Sequence, residues 1–415
     1  MESTLTRRQL SRWRTAIFAI FLASGLSIST WASRVPAIKD ALGIDNVQVG
    51  LLLLGMGVAS ILGLSGAPVV LARLGARRGM LGALIVVAIG VVVIGVGTDA
   101  LHSYPVVLAG LALFGFGNGS VDVMMNVEGA DIEKATGRTI LPLFHAFFSF
   151  GTVIGAGLGV VAVTWGLNVV THTAIIGVLI LVIAVLSVAS VPPHSPPVVV
   201  NTAEPAGWRA RLHTAMSAWR EPRTYALGVV MLGMAFAEGG ANDWLPLALV
   251  DGHGADQALG AAGLAVFSVA MTVVRVFGGP LVDRFGRVLV LRVLAATAAA
   301  GLLLFILAPN LPLVFVGAAL WGVGASLGFP LGMSAAADDP AHAAARVSAA
   351  ATIGYVAFLC GPPILGFISE HIGLLNTLFI IVGLIVASGL FSSAARPLVP
   401  TTSATPAPAP RADAH

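Results

Sequence analysis

Charge is what this 415-residue sequence has least of: Asp, Glu, Lys and Arg make up 10% of it, against 57% hydrophobic residues and a mean hydropathy of +0.95. Soluble domains carry about 25% charged residues, so a water-exposed globule is excluded. Cysteine is almost missing as well. The single one, Cys360, cannot close an intrachain disulfide, says nothing of redox compartment, and reads as packing inside an apolar run. No Walker sequence, no nucleophile elbow and no Cys/His/carboxylate cluster at metal-ligand spacing occurs. ATP-driven work, metal chemistry and the common hydrolytic mechanisms therefore have no residues to rest on. No cofactor, no metal and no enzymatic activity are expected.

What the chain does have is apolar runs near the ~20 residues needed to cross a bilayer. They begin near 15, 46, 79, 105, 140, 168, 224, 259, 288, 311, 346 and 374, and the last ends near 394. Such runs are too long and unbroken for barrel strands, and in lipid each backbone group must find its partner within the chain. The expectation is an all-α membrane protein with twelve transmembrane helices, and the lipid bilayer is its first partner.

Basic residues orient it. With the N-terminus in the cytoplasm, only Arg34 and Lys39 of the 22 Lys and Arg fall on the far side, and Arg275 falls inside the eighth span. All the others then lie inside, which is the positive-inside pattern. The formal charge of +3 reports topology and calls for no nucleic-acid partner. The opening "TRRQLSRWR" has the look of a twin-arginine export signal, but eleven further spans follow and it suits the cytoplasmic flank of an uncleaved first helix.

One long polar connection, 191–225, divides the spans six and six. The expected organisation is an N-terminal six-helix bundle at 1–190 and a cytoplasmic linker at 191–223, then a C-terminal six-helix bundle at 224–395 and a disordered tail at 396–415. Within the linker, "WRARLHTAMSAW" has the spacing of an amphipathic helix on the membrane surface; the tail is low-complexity. The halves echo each other. Trp31 answers Trp244, Gly75 in "LARLGARR" answers Gly286 in "LVDRFGRV", and "LFGFGNG" at 113 answers "LWGVGAS" at 320, at offsets of 213, 211 and 207. A nearly constant offset of half the length points to a duplicated bundle in two pseudo-symmetric copies of the same orientation.

Polar residues inside the spans are few enough to weigh singly. On span four, Gly115, Gly119, Asp122 and Asn126 fall on one helical stripe. An ionisable group near the bilayer centre costs about 2.5–3.5 kcal/mol on insertion scales, so Asp122 marks an ion or solute path, unless it caps the helix or pairs with an arginine such as Arg138. The glycines of "GFGNGS" lack the strand and the Lys-Ser/Thr of a phosphate loop and read as close helix packing. Gly317, Gly324 and Gly328 read likewise, with "GFP" at 328–330 bending span ten. On span seven, Glu238 lies near mid-membrane, Asn242 one turn on, and Asp243 beside it. A desolvated carboxylate takes up a proton more readily, so it can carry one when access alternates. Glu238, Asp243 and Asp122 are the candidates for proton coupling, Asp243 being equally readable as an interfacial residue in water. His145 opens span five, either as a solute contact or proton relay or as a donor to a backbone carbonyl. Arg275 snorkels, pairs with an acid or takes part in gating. Trp31, Arg34, Trp321, Tyr355 and Phe358 offer aromatic and cationic surface for an organic solute, or else serve packing.

"GPLVDRFGRV", 279–288, resembles the signature loop G-x-L-x-D-R-x-G-R-x of the major facilitator superfamily, and it lies between spans eight and nine. The first copy, "PVVLARLGARR", keeps Arg73, Gly75 and Arg77 but carries Pro68 and Ala72 where the family has Gly and Asp. "DVMMN", "LFHAFFSFGTVIGAG", "EGGANDW" and "GYVAFLCGPPILGF" resemble more narrowly the YbjJ-like branch, related to the fucose:proton symporters. The likeness covers the chain apart from its linker and tail. It implies a monomeric secondary transporter of the bacterial inner membrane, both termini cytoplasmic, moving a small polar organic solute in symport with protons by alternating access. It also implies that spans one, four, seven and ten line a central cavity. Solute contacts then fall to Asp122, Asn126, His145, Asn242, Trp31, Trp321 and Tyr355. Gating falls to Gly279, Asp283, Arg284, Gly286 and Arg287, with Arg73 and Arg275. Antiporters of the superfamily tend to carry a G-P-x-x-x-G repeat in span five, where "GTVIGAGLG" lacks the proline, so proton-coupled efflux is the second reading. The acid that the fucose-type branch carries in span one is missing between Arg14 and Arg34, a departure from the sugar scheme. A membrane sensor or scaffold that moves nothing is the alternative from another class.

Overall fold

Polar residues ahead of the apolar runs fix where helices begin. In the computed structural model, which describes residues 6–136, 140–192, 218–339 and 343–398, the first span, Arg7–Ala32, opens on a capping box. Thr6 accepts from the Gln9 N–H while the Gln9 side chain accepts from the Thr6 N–H. This satisfies two of the N–H groups a helix start leaves open, and the helix begins well before its apolar run. Hydropathy marks the bilayer; the cap marks the helix. Asp45 and Gln48 form the same box ahead of span two, and Asn168, Asp256 and Asn310 cap spans six, eight and ten.

All elements among the described residues are helical. Eleven helices are long and apolar enough to cross a membrane. One of them, Asn46–Ala100, has 55 residues, roughly 80 Å at ~1.5 Å per residue, more than twice a bilayer core. It breaks at Gly75, whose φ of 73° and ψ of 166° no helix contains, into spans two and three. Twelve crossings result, as the sequence predicts. The others are span four Tyr104–Thr136, five Leu141–Thr164, six Val169–Val188, seven Pro222–Leu247, eight Gln257–Phe277 and nine Arg287–Leu307. Span ten is Leu311–Ala325 continued as Gly328–Ala336, eleven is Ala343–Ile372, and twelve is Leu374–Thr377 with Phe379–Phe391. A short helix that hydropathy merges with span one, Val35–Leu42, has Pro36 in its first turn and stops at Gly43, φ 60°. Span eleven contains Pro362 and Pro363. The expected linker helix, the tail beyond 398 and Arg138 lie outside the described residues.

The repeat reaches down to single backbone angles. Glycines with positive φ stand at 43, 75 and 166 in the first half and at 254, 286 and 373 in the second, at offsets of 211, 211 and 207. Residues with a Cβ lose about 1–2 kcal/mol in this region, which keeps glycine at such turns. Close approaches recur as well. A Cβ on Gly115 would lie 2.2 Å from the Met56 carbonyl oxygen, and one on Gly322 would lie 2.3 Å from that of Phe267. Gly117 presses on Ala83 of span three as Gly324 presses on Ala298 of span nine.

The halves meet mainly through spans two and eleven and through spans five and eight. At one end of the molecule they are pinned together. Lys39 pairs with Asp251, Gln257 donates to Asp40 at 3.0 Å, and the Asn46 N–H at the start of span two donates to Glu370 of span eleven at 2.7 Å. Glu370 thereby places a carboxylate on a helix N-terminus of the opposite half. Gly366 makes the approach possible, since a Cβ there would stand 2.4 Å from the Asn46 carbonyl oxygen. At the other end, ion pairs join residues of the second half: Arg223 and Arg287 share Asp338, and Arg346 holds Glu221 and Asp339.

Candidate functional site

Span four is anchored on either side of its polar stripe. Ser24 of span one donates to Asn118 at 2.7 Å, while Gly119 lies on the Ser60 carbonyl of span two and Ser120 donates to Gly63 at 3.2 Å. At 100° per residue, Asp122 leaves the helix between these two contacts. The aspartate is thus directed between spans one and two, toward the second half. Asn126, one turn further, donates its Nδ2 to the Asp122 carbonyl at 2.8 Å and to Asp122 Oδ1 at 3.3 Å. Among the described residues no cation pairs with Asp122.

Phe329 stands 207 residues after Asp122, the same offset that relates Gly115 to Gly322. The pseudo-symmetry therefore sets Phe329 in span ten at the place Asp122 holds in span four. From there runs an aromatic row: Phe329 to Tyr355 at 5.6 Å between ring centroids, and Tyr355 to Phe358 at 6.3 Å. Tyr355 is 47% exposed. Acid and aromatics belong to opposite halves, at positions that the pseudo-symmetry relates.

Glu238 and Arg275 form the second focus. Arg275 Nη2 donates to Glu238 Oε2 at 2.7 Å, Nε to the Ser326 carbonyl at 2.9 Å, and Nη1 to Ser149 Oγ at 3.4 Å. The Ser326 carbonyl is available because span ten is interrupted between Ala325 and Gly328, next to the bend that "GFP" predicts. One guanidinium thus ties spans seven, eight and ten of its own half to span five of the other. Of the three readings of Arg275, this geometry is the paired one. His145 lies one turn before Ser149 on the same face of span five, exposed, its ring edge against Phe21 at 5.2 Å.

Asp243 is buried, 9% exposed, with no hydrogen bond or ion pair among the described residues. Asn242 is half-buried beside it. Trp31 and Trp321 do not join this set. Trp31 packs against Phe114 at 6.2 Å and borders a small apolar cavity with Val35, Ile38 and Leu52. Trp321 sits fully buried between Phe267 and Phe305. Large rings in well-packed bundles fill core volume first, and that need takes both tryptophans. Arg34 is buried too and donates to the Leu167 carbonyl at 2.8 Å. The signature-loop residues stand apart from Asp122. Gly279, Asp283 and Arg284 lie exposed on the short helix Gly279–Phe285, Gly286 turns the chain at φ 78°, Arg287 is bound to Asp338, and Arg73 is exposed in the first copy.

Asn118, Ser24 and Ser149 escaped sequence reading. Asn118 hides in a run read for its glycines, and the serines hide in apolar spans. Glu128 escaped as well, a 3% exposed acid of span four that accepts from Trp13 Nε1 at 2.7 Å. An acid within an apolar span is itself the signal that could have found it. The assembly offers a carboxylate, an amide, an aromatic row and a half-buried ion pair along one seam; among the described residues no group of three or more His, Cys, Asp or Glu is placed to hold a metal ion.

Comparison with known proteins bears on the whole chain. The model of the Major Facilitator Superfamily matches residues 15–355 and 248–415. An MFS-type transporter of Yersinia pestis is 33% identical over 362 residues, 84% of this chain and 87% of that protein. A transporter of Sinorhizobium fredii, y4wD, is 31% identical over 387 residues, 92% of this chain and 97% of that protein. Among solved structures, a mutant of the nucleoside transporter NupG superposes with a TM-score of 0.74 over 94% of this chain and 100% of its own, at 14% identity, a likeness of fold alone.

Proposed function

From a chain that belongs to the Major Facilitator Superfamily, and is therefore a multi-pass membrane transporter and no enzyme, we propose a symporter that carries a small polar organic solute together with protons. It works as a monomer in the bacterial inner membrane, with both termini and the signature-loop end in the cytoplasm. The narrower likeness to the YbjJ-like branch and the fucose:proton symporters is part of this reading. In that orientation the end closed by Lys39, Asp251 and Glu370 faces outward, so the halves are closed outside and the site communicates with the cytoplasm. Alternating access then consists of parting this seam while the cytoplasmic ends of the halves come together.

The observation that carries the reading is Arg275, bonded at once to an acid of its own half and to a serine of the other. An ion pair such as this half-buried one holds only while both partners are charged. A proton on Glu238 removes the charge that positions the guanidinium and with it the hold on Ser149 across the seam. Loading the proton thereby alters how the halves are joined, and the protonated acid avoids moving a bare charge through the rocking step. Asp243, buried without a partner, is the second proton carrier. Asp122 and Asn126 meet the solute from the first half, with His145 beside the seam.

Counterflow and pH-gradient uptake in proteoliposomes test this. Glu238→Gln imitates the protonated acid and should keep solute exchange while losing accumulation against a gradient. Wild-type accumulation by this variant would remove Glu238 from the coupling step. Ligand binding without any flux would favour the sensor reading.

A further inference from the structure

The charges at the seam do not balance, and the imbalance says what kind of solute fits. Arg275, half-buried, is the cation there, and its Nε, Nη1 and Nη2 each donate once, to Ser326, Ser149 and Glu238. Three of its five N–H donors are thus engaged, and its charge is balanced by Glu238 in the same pairing. Asp122 differs: among the described residues its hydrogen bonds are to Asn126 of its own helix, and no cation pairs with it. Its pseudo-symmetric counterpart in the other half, Phe329, begins the aromatic row that runs through the half-exposed Tyr355 to Phe358. An anionic solute meets repulsion from the carboxylate here, and an uncharged one leaves Asp122 to be neutralised by a proton alone. A cation satisfies both elements, since aromatic faces carry negative potential that attracts ammonium groups. His145, on span five one turn before the serine that Arg275 reaches, makes no ion pair with Asp122, and Glu128 of span four is an acid engaged by Trp13.

We propose that the solute is a protonated amine, its ammonium group seated on Asp122 and held by Asn126, its body lying along Phe329, Tyr355 and Phe358. The proposal rests on the reading of Asp122 as the solute contact, and it adds the chemical class. It also accounts for the asymmetry of the two halves: the first supplies the anion and the second, at the equivalent position, supplies the ring.

Matched ligands test it on the full chain, purified in detergent, by isothermal titration calorimetry. The pairs are tyramine with tyrosol and glucosamine with glucose, and glucuronate serves as the acidic member. Each amine should bind at least about tenfold more tightly than its alcohol partner, with no binding of glucuronate. Asp122→Asn should abolish the preference and Asp122→Glu should retain it, which separates lost charge from lost folding; thermal unfolding of each variant checks the latter. Tyr355→Ala should weaken tyramine more than glucosamine. Equal or tighter binding of the alcohols or the acid, failure of every amine to bind, or an amine preference that survives Asp122→Asn overturns the assignment. The outcome is separable from the transport reading. An amine that binds through Asp122 but shows no counterflow leaves this site standing and sinks transport, whereas a neutral solute carried equally by Asp122→Asn does the reverse.

Discussion

At position 366 a single hydrogen atom decides whether the halves can close. A Cβ on Gly366 would meet the Asn46 carbonyl oxygen at 2.4 Å and the Trp244 ring at 3.3 Å, backbone and bulky ring that cannot swing aside. Overpacking of this kind costs about 1–3 kcal/mol, and opening the seam relieves it. The nearby Lys39–Asp251 pair, with side chains 18% and 29% exposed, is worth at most about 1 kcal/mol. Gly366→Val should therefore shift the population toward the outward-open state more than Lys39→Ala does. Spin labels at His102 and Asn310, exposed at that end of each half, report it as growth of a longer-distance component. An unchanged distance distribution in Gly366→Val would show that the seam closes without this contact.

Between residues and the whole stand the helices, and their packing makes a sharper prediction than their hydropathy. A Cβ on Gly324 would lie 2.2 Å from Ala298 N of span nine, while one on Gly383 would meet nothing within 4 Å. Gly324→Leu should lower the thermal midpoint of the purified protein by several degrees and Gly383→Leu by little, following the usual cost of core overpacking; equal midpoints would contradict the close approach of spans nine and ten. Sequence alone revealed that these helices exist, because a bilayer demands long apolar runs, and it revealed the repeat, because turn glycines keep their spacing. It did not reveal the helix Val35–Leu42, whose apolar residues merge with span one. Nor did it separate Trp31 and Trp321, which fill cores, from Tyr355, which does not: all three are aromatic in apolar surroundings, and only packing tells them apart. The bond from Arg275 to Ser149 joins residues 126 apart, and no local pattern could announce it. Asp122, Glu238 and Arg275 stand out in the sequence, since charge in a membrane is rare; their partners do not.

For the molecule as a whole, the basic residues predict that reporter fusions placed after residue 398 and within 193–217 are active on the cytoplasmic side; activity outside for either would invert the outward and inward assignments. The frame itself is doubled while its chemistry is single. Six turn glycines repeat from half to half, but Asp122 answers to Phe329, and Arg275, at the offset of 211, to Leu64. Span eleven then acquires a meaning that neither half has alone. Pro362 and Pro363 deprive the Phe358 and Leu359 carbonyls of their helical donors, a place where a helix bends. On one side of that bend lie Tyr355 and Phe358, on the other Gly366 and Glu370, which grip the start of span two. The paired prolines stand midway, seven residues from Tyr355 and seven from Glu370: whatever settles on the rings at one side of the joint leans on the latch at the other.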